Sequence, residues 1–263
     1  MPIECSMRIE NMSTEAFGDV DYTVMRHAFD SQNDLSRLAN ESVFQADVAS
    51  RLITAGNEVA REVPIMLAFA TYCKTLKLDL VVNAKAVYEL KVVTAINDAH
   101  VGQLLTYLYL LDLRHGKLIN FGAVSVVSQF VNAPLTLAER RNFSVVDGAY
   151  QGESSFQSLV TELLRDWGTS LTLSLYDEAL VELLGGPATV VAHLPMNRAG
   201  IALGNQRFHL ARDNIAFRLS AMNGNTDGYK KQLQALLSHS PLHAIRWIHF
   251  PHHIETFTTI HRT

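Results

Sequence analysis

Apolar residues recur along the chain with two different spacings, and these spacings predict the order of its helices and strands. Phe44, Val48 and Leu52 follow one another at helical spacing, so a helix is predicted around them. Three stretches rich in β-branched and aliphatic residues come next and predict strands: residues 62–69, 76–82 and 86–93. A helical pattern over residues 98–113 and a strand pattern over residues 117–121 follow. We therefore expect a mixed α/β fold with the element order αβββαβ.

The second half of the chain repeats this order of elements. When the sequence is shifted by 129 residues, eight identities fall in one ungapped register within residues 80–121. We interpret this self-similarity as a diverged duplication, in which a second copy of the fold follows the first. The alternative is that two unrelated α/β segments share generic leucine-rich helices.

Changes in composition predict where the two domains begin and end. Residues 1–21 are polar and unpatterned, which indicates a loose lead-in segment. Residues 132–155 mix proline, glycine and a pair of arginines, and we interpret them as a linker. The first domain is therefore expected over residues 22–131 and the second over residues 156–263.

Charge and composition narrow the classes of function. The chain has 263 residues, is 48% hydrophobic and carries a net charge of −4. Residues 1–149 hold 13 basic against 17 acidic residues, and residues 150–263 hold nine of each. Neither half shows the excess of positive charge that is typical of many phosphate contacts. No apolar run of about 18 residues predicts a membrane span. Two distant cysteines and the absence of a secretory pattern favour the cytoplasm.

One predicted hairpin brings together the residue types that metal-dependent hydrolysis needs. Glu89 and Lys91 project from the same face of their strand because side chains alternate. If the hairpin turns around Ala84, residues whose numbers sum to 168 face each other, and Asp79 pairs with Glu89. Two facing carboxylates repel each other unless a cation lies between them, which predicts Mg²⁺ or Mn²⁺ with oxygen ligands. The alternative is a surface ladder of ion pairs.

Polar residues on the two flanking helices extend this candidate site. Glu41 lies three and seven residues before Phe44 and Val48, so it shares the core-facing stripe of its helix. Gln103 and Tyr107 are four residues apart and share one face of the next helix. Simpler interpretations remain open, because Glu41 could serve the helix dipole and the other two could form an ordinary polar edge.

The order of these short motifs resembles the GxxExxY proteins, which belong to the PD-(D/E)XK nuclease-like superfamily. The motifs that carry the resemblance are Glu41-x-x-Phe44, Glu62-Val-Pro, Leu78-Asp79-Leu, Val87-Tyr-Glu89-Leu-Lys91, Gln103-x-x-x-Tyr107 and Leu118-Ile-Asn-Phe-Gly122. The similarity covers residues 24–131. Leu38 and Phe44 stand where the name motif of the family has glycine and tyrosine.

The resemblance implies a restriction-endonuclease-like αβββαβ core, a mixed sheet flanked by helices, and a nuclease centre within it. Asp79 and Glu89 would bind the metal, and Lys91 would position or activate water. Glu41 would be an accessory acid that also contacts the metal. Gln103-x-x-x-Tyr107 is similar to the QxxxY motif of RecB-type members, which implies that both residues line the site.

The second copy lacks this centre in the shifted register. Phe208, Arg218 and Ser220 replace the two acids and the lysine of the hairpin, so we expect a degenerate copy that binds no metal. We hypothesise that it replaces the partner subunit of a homodimer, as an intramolecular pseudo-dimer, or that it holds substrate. Its basic residues would serve the second role: Arg207, Arg212, Arg218, Lys230 and Lys231.

Two functions follow from these patterns. The first is an Mg²⁺-dependent nuclease that hydrolyses phosphodiester bonds in DNA or RNA. The second is a catalytically inactive scaffold or nucleic-acid-binding protein that keeps the nuclease fold, which the acidic first half favours.

Overall fold

The computed structural model describes residues 3–147, 149–251 and 253–262. It divides the chain into two compact units. The first unit comprises Met1–Ala68 and Cys73–Leu137, and the second comprises Phe69–Tyr72 and Ala138–Thr263. Among the described residues, none of the helices has both the length and the apolar character needed to cross a membrane.

The first unit combines a six-stranded sheet with three helices. Its strands are β1 (Ile3–Cys5), β2 (Val59–Phe69), β3 (Tyr72–Val82), β4 (Ala86–Lys91), β5 (His115–Asn120) and β6 (Val127–Asn132). Its helices are α1 (Thr14–Leu35), α2 (Glu41–Thr54) and α3 (Asp98–Leu110). The strands lie in chain order across the sheet, and β4 and β5 are parallel. The order from α2 to β5 is αβββαβ, which confirms the predicted mixed α/β, restriction-endonuclease-like fold class.

Polar caps fix the points at which two helices of this unit begin. The side chain of Ser13 accepts a hydrogen bond from the N–H of Ala16 at the start of α1. The side chain of Asn97 accepts from the N–H groups of Ala99 and His100, and the His100 ring accepts from the N–H of Asn97. This capping box fixes the first residue of α3 at Asp98, seven residues after the end of β4 at Lys91.

Helices cover both faces of the first sheet. On one face, buried side chains that include Leu80 and Tyr88 form a cluster with residues of α1 and α2. On the other face, the buried side chains of Leu104 and Leu108 from α3 lie over Gly116 of β5. Glycine suits this position because an added Cβ would lie 3.2 Å from each leucine side chain.

The β3–β4 hairpin has the predicted register. Leu80 faces Tyr88, and the numbers of the paired residues sum to 168. Because Leu80 and Tyr88 point into the cluster with α1 and α2, alternation places Asp79, Glu89 and Lys91 on the opposite face. A slip by one residue would bury these three charges in the apolar cluster, so the hydrophobic pattern determines the register.

The second unit contains another six-stranded sheet. Its strands are β7 (Ser144–Asp147), β8 (Val191–Arg198), β9 (Ile201–Arg212), β10 (Ile215–Ser220), β11 (Ala244–His249) and β12 (Ile254–His261). Its helices are α4 (Leu137–Arg141), α5 (Ser154–Trp167), α6 (Leu173–Leu183), α7 (Pro187–Val190) and α8 (Thr226–Ser238). The strand order is β7-β12-β11-β10-β9-β8, and β10 and β11 are parallel.

Several elements of the two units are related by the same offset as the sequence identities. β4 spans residues 86–91 and β10 spans residues 215–220, a difference of 129 at both ends, and β5 and β11 show the same difference. The turns between β2 and β3 and between β8 and β9 also match, since Ala70 and Ala199 both have positive φ, 48° and 50°.

Strand pairing follows this offset as well. Glu89 faces Leu118 in the β4–β5 pair, and Arg218 faces Trp247 in the β10–β11 pair. In the antiparallel pairs that follow, residue 115 faces residue 132 and residue 244 faces residue 261. The duplication stays a prediction, and these coincidences of register are what it requires.

The structure differs from the predicted segments in two places. Residues 1–21, predicted as a loose lead-in, contain β1, which pairs with β2, and the beginning of α1. Residues 132–155, predicted as a linker, contain α4 and β7, and β7 pairs with β12. Strands of three or four residues are too short to show an alternating pattern. Residues 1, 2, 148, 252 and 263 of the predicted segments lie outside the described residues.

Candidate active site

The candidate site lies where β3 and β4 stop pairing. Their regular pairing ends at Leu80 and Tyr88, one position before Asp79 and Glu89. The Asp79 carboxylate accepts a hydrogen bond through Oδ2 from the backbone N–H of Leu90, at 2.8 Å. The two acids therefore do not form the regular cross-strand pair that the hairpin pattern predicts, because a carboxylate instead of a backbone carbonyl takes this N–H.

Glu89 and Lys91 form a close ion pair in a buried position. The distance from Lys91 Nζ to Glu89 Oε1 is 2.6 Å, and the lysine and glutamate side chains are 12% and 1% exposed. The second oxygen of Glu89, Oε2, is buried and has no hydrogen-bond partner among the described residues. Burying a carboxylate oxygen without a hydrogen-bond partner costs free energy. A proton or a cation bound to this oxygen would offset that cost.

Burial and the repulsion of neighbouring carboxylates shift the pKa values of both acids upwards. Burial raises the pKa of Asp79 to about 6, against the hydrogen bond from Leu90. Burial and then the charge of Asp79 raise the pKa of Glu89 to about 8. Burial acts to lower the pKa of Lys91, but the carboxylates of Glu89, Glu41 and Asp79 together outweigh it and the net shift is upward. The site thus favours uptake of further positive charge.

Gln103 and Tyr107 of α3 interact with each other and with the charge of the site. Gln103 Nε2 donates a hydrogen bond of 2.8 Å to Tyr107 Oη. Burial and the negative charge of Glu89 raise the pKa of Tyr107 to about 12, so its hydroxyl stays protonated at neutral pH. Both residues lie on one helix face, and Tyr107 lies within electrostatic range of Glu89.

Glu41 is half-buried at the start of α2. Its charge acts to raise the pKa values of Asp79, Glu89 and Lys91, which places it within electrostatic range of all three. Within the described ranges, no group of three or more acidic, histidine or cysteine side chains is arranged to hold a metal ion. The role of Glu41 as a third metal ligand stays a prediction.

Two residues to which the sequence analysis gave no role also contact the site. Gln45 of α2 is buried and donates through Nε2 to Glu62 Oε1 at 2.8 Å and to the backbone oxygen of Asp79 at 3.0 Å. Arg61 donates to Gln45 Oε1 at 3.1 Å, and Lys77 donates to Glu62 Oε2 at 3.2 Å. Gln45 therefore connects the strand that carries Asp79 with a second acid.

Weak signals for these two residues are present in the sequence. Gln45 follows Glu41 by four positions, so both lie on one face of α2. Glu62 belongs to the Glu62-Val-Pro motif, and in the structure it has a positive φ of 51°. A non-glycine residue with positive φ is uncommon, and such positions are enriched at functional sites.

The comparison with protein families covers the part of the chain that carries this site. Residues 18–131 match the PD-(D/E)XK nuclease superfamily. The matched residues include all the candidate site residues, from Glu41 to Tyr107. No curated protein and no solved structure matches the sequence.

The side chains of the candidate site fit a hard divalent cation. Asp79 and Glu89 supply carboxylate oxygens, which Mg²⁺ and Mn²⁺ prefer. The partnerless oxygen Glu89 Oε2 is buried beside a second acid, and one lysine does not balance the carboxylates around it. A cation contacting these oxygens would lower the cost of burying both charges.

Proposed function

We propose that the protein is a metal-dependent nuclease of the GxxExxY type, which hydrolyses phosphodiester bonds in DNA or RNA. The observation that supports this most directly is the buried Glu89–Lys91 pair beside Asp79, with a carboxylate oxygen of Glu89 left without a partner among the described residues. The match to the nuclease superfamily over the same residues supports the same chemistry. We further propose a cytoplasmic location, which suits the two free cysteines, Cys5 and Cys73.

In this mechanism the residues of the chain prepare the scissile phosphate and the attacking water. When bound, Mg²⁺ or Mn²⁺ supplies Lewis acidity towards a phosphate oxygen. Asp79 and Glu89 would hold the cation. Lys91 would orient water and offset the negative charge that develops on the phosphate in the transition state. Gln103, which donates a hydrogen bond to Tyr107 Oη, and Tyr107 itself would position the substrate from α3.

Cleavage assays with matched variants test this proposal. Single-stranded and double-stranded DNA and RNA are incubated with the protein and Mg²⁺ or Mn²⁺. Asp79→Asn, Glu89→Gln and Lys91→Met should each lower the cleavage rate by at least about a hundredfold, since each removes a charge that acts in the transition state. Glu15→Gln, an exposed carboxylate on α1, is the matched control and should leave the rate unchanged. Equal rates in the wild-type protein and the three site variants would exclude this centre as the catalyst.

A second candidate function is an inactive nuclease-fold protein that binds nucleic acid or acts as a scaffold. The observation that favours it is that no group of three potential ligands is assembled for a metal in the described part of the chain. Thermal unfolding separates the two functions, because a cation that binds only the folded state raises Tm. If the nuclease proposal holds, Mg²⁺ or Mn²⁺ raises Tm and Glu89→Gln abolishes the rise. If neither metal raises Tm and no polymer is cleaved, the inactive nucleic-acid-binding or scaffold function is supported instead.

A further inference from the structure

The second unit presents side chains at the positions that correspond to the candidate active site. In the first unit the numbers of facing residues on β3 and β4 sum to 168, and in the second unit Ala216 faces Leu210, which gives a sum of 426. These sums differ by twice 129, as an offset of 129 on each strand requires. In this register Phe208 and Arg218 occupy the positions of Asp79 and Glu89.

The charge at these positions differs from that of the first unit, since an apolar and a basic side chain stand in place of the two acids. Phe208 is buried and apolar, whereas Arg218 is exposed on the strand that pairs in parallel with β11. Ser220 takes the position of Lys91, and it is buried. A carboxylate site that needs a cation is thus replaced by a guanidinium group that carries its own positive charge.

A hydrogen-bond network occupies strand positions next to Arg218, since Ser220 lies two residues along β10 and Trp247 faces Arg218 on β11. Trp247 Nε1 donates to Ser220 Oγ at 2.7 Å, and Ser220 Oγ lies 2.8 Å from His249 Nδ1. The side chains of Trp247, Ser220 and His249 are buried, and Arg218, Ser220 and Trp247 lie on the same sheet face by strand alternation. On the described positions of β10 and β11, this face therefore offers no carboxylate to compete for the guanidinium of Arg218.

The structure also narrows the set of basic residues that the sequence suggests for this unit. Arg212 pairs with Glu153, as does the buried Arg246. Arg207 precedes Phe208 on β9, so alternation turns it to the other sheet face. Gln232, at the position of Gln103, is exposed on α8, so its amide can donate hydrogen bonds to a ligand that contacts Arg218. Arg218 is consequently the basic residue that the offset places at the position of Glu89.

We propose that this face of the second unit, centred on Arg218, binds the phosphodiester backbone of nucleic acid directly and without a metal. Arginine matches phosphate with two parallel hydrogen bonds and remains charged at every physiological pH. The choice of nucleic acid as the phosphate ligand rests on the proposed function, whereas the binding itself requires neither the acids of the first unit nor a divalent cation.

Binding in the absence of metal tests the proposal. Fluorescence anisotropy measures the affinity of the full chain for short labelled single-stranded DNA and RNA of matched sequence, in EDTA at about 50 mM salt. Arg218→Glu should weaken binding by about tenfold or more, and Arg218→Lys should weaken it less. Arg198→Glu, an exposed residue at the far end of the β8–β9 hairpin, makes the same change in net charge and should leave the affinity within about twofold. Circular dichroism checks that each variant is folded.

The results separate this proposal from the nuclease function. Affinity in EDTA that falls in Arg218→Glu but not in Arg198→Glu supports the phosphate contact, even if the protein cleaves nothing. Equal affinities of the wild-type protein and Arg218→Glu overturn it, even if cleavage depends on Asp79 and Glu89. Failure of the wild-type protein to bind either polymer in EDTA overturns it as well. The difference between the DNA and RNA arms identifies which backbone is preferred.

Discussion

At the scale of single residues, the chemistry of the candidate site depends on burial more than on residue identity. Asp79 and Glu89 would be ordinary acids on an exposed strand, but burial raises their pKa values to about 6 and about 8. The N–H of Leu90 and the ammonium group of Lys91 hold one oxygen of each acid. Neighbouring groups, a backbone N–H as well as a side chain, therefore decide both the charge and the direction of these carboxylates.

Gln45 should act as a positioning residue for Asp79. Its amide donates hydrogen bonds to the backbone oxygen of Asp79 at 3.0 Å and to Glu62 at 2.8 Å. Gln45→Ala removes both bonds, so the backbone that carries Asp79 is held less firmly. We expect a ten- to hundredfold weaker apparent affinity for Mg²⁺, about the loss that follows when a group supporting a metal ligand is removed.

Titration of Tm with Mg²⁺ measures the effect of Gln45→Ala. Asn33→Ala removes the same kind of side-chain amide from an exposed position of α1 and is the control. The apparent affinity of this control should equal that of the wild-type protein. An unchanged affinity in Gln45→Ala would show that Asp79 needs no such support.

Glu255 in the second unit should make stability depend on pH. Its carboxyl is fully buried, accepts a hydrogen bond from Thr161 at 3.1 Å, and burial raises its pKa to about 7. Because the folded state holds this proton more tightly than the unfolded state, its contribution to stability is full below pH 4.5 and is lost as the pH rises through 7.

We therefore expect the difference in unfolding free energy between Glu255→Gln and the wild-type protein to change with pH. From about pH 5 to about pH 8 it should shift in favour of the variant by about 1–3 kcal/mol. Urea unfolding at both pH values measures the difference. The comparison between the two pH values cancels any constant cost of placing an amide next to Thr161. Glu162→Gln, the same change at an exposed position of α5, is the control. A constant difference between Glu255→Gln and wild type would contradict the shifted pKa.

At the scale of elements, the β3–β4 hairpin follows from its own pattern of apolar and polar positions. Leu80 and Tyr88 must both face the apolar cluster, and only one register allows this. Where the pairing ends is a different matter, because the N–H of Leu90 goes to Asp79 instead of continuing the ladder. The pattern therefore predicts the hairpin, and packing decides its length.

The bend just after β5 should be highly sensitive to side-chain size. A Cβ atom on Gly122 would lie 2.5 Å from the backbone oxygen of Val93 and 2.6 Å from its nitrogen. We expect Gly122→Ala to lower the free energy of unfolding by about 3 kcal/mol, because backbone atoms cannot move aside as a flexible side chain can. Denaturant unfolding measures this loss.

Gly18→Ala on α1 is the matched control for Gly122→Ala. Nothing among the described residues lies within 4 Å of a Cβ atom at Gly18, and alanine favours a helix over glycine. This variant should gain up to about 1 kcal/mol. If both variants lose stability equally, the close approach of Gly122 to Val93 does not constrain the fold.

At the scale of the whole molecule, the net charge of −4 restricts how the protein can hold a polyanion. A protein that binds through six to ten phosphate contacts loses about 10³- to 10⁵-fold in affinity between 50 and 200 mM salt. Balanced charges in the second half and an excess of acids in the first leave few cations for such contacts. Binding should therefore rely on a small number of local interactions.

We accordingly expect a weak dependence of nucleic-acid binding on salt. Between about 50 and 200 mM KCl, the affinity for a short oligonucleotide should fall by about tenfold or less, which corresponds to one or two phosphate contacts. Anisotropy titrations with Glu89→Gln avoid cleavage during the measurement. A fall of about a thousandfold would indicate a broad electrostatic interface that the distribution of charge does not predict.

The sequence alone determined the order of elements from α2 to β5 and the register of the β3–β4 hairpin, and it named the candidate site residues, whose roles stay predictions. These features are local, because alternation along one strand and helical spacing along one helix are visible in consecutive residues, as with Glu89 and Lys91 or Gln103 and Tyr107. The common offset of 129 is visible for the same reason, since Leu90 and Leu219 can be aligned without knowing the fold.

Only the tertiary structure decided which other groups reach the site and how strongly it is buried. Gln45 and Glu62 are 17 residues apart and are joined by a hydrogen bond next to Asp79, a contact that no local pattern encodes. β1 and β7 are too short for periodicity, and pairing with distant strands creates them. The pKa of Glu89 likewise depends on desolvation by residues from several elements, which exists only once the chain is folded.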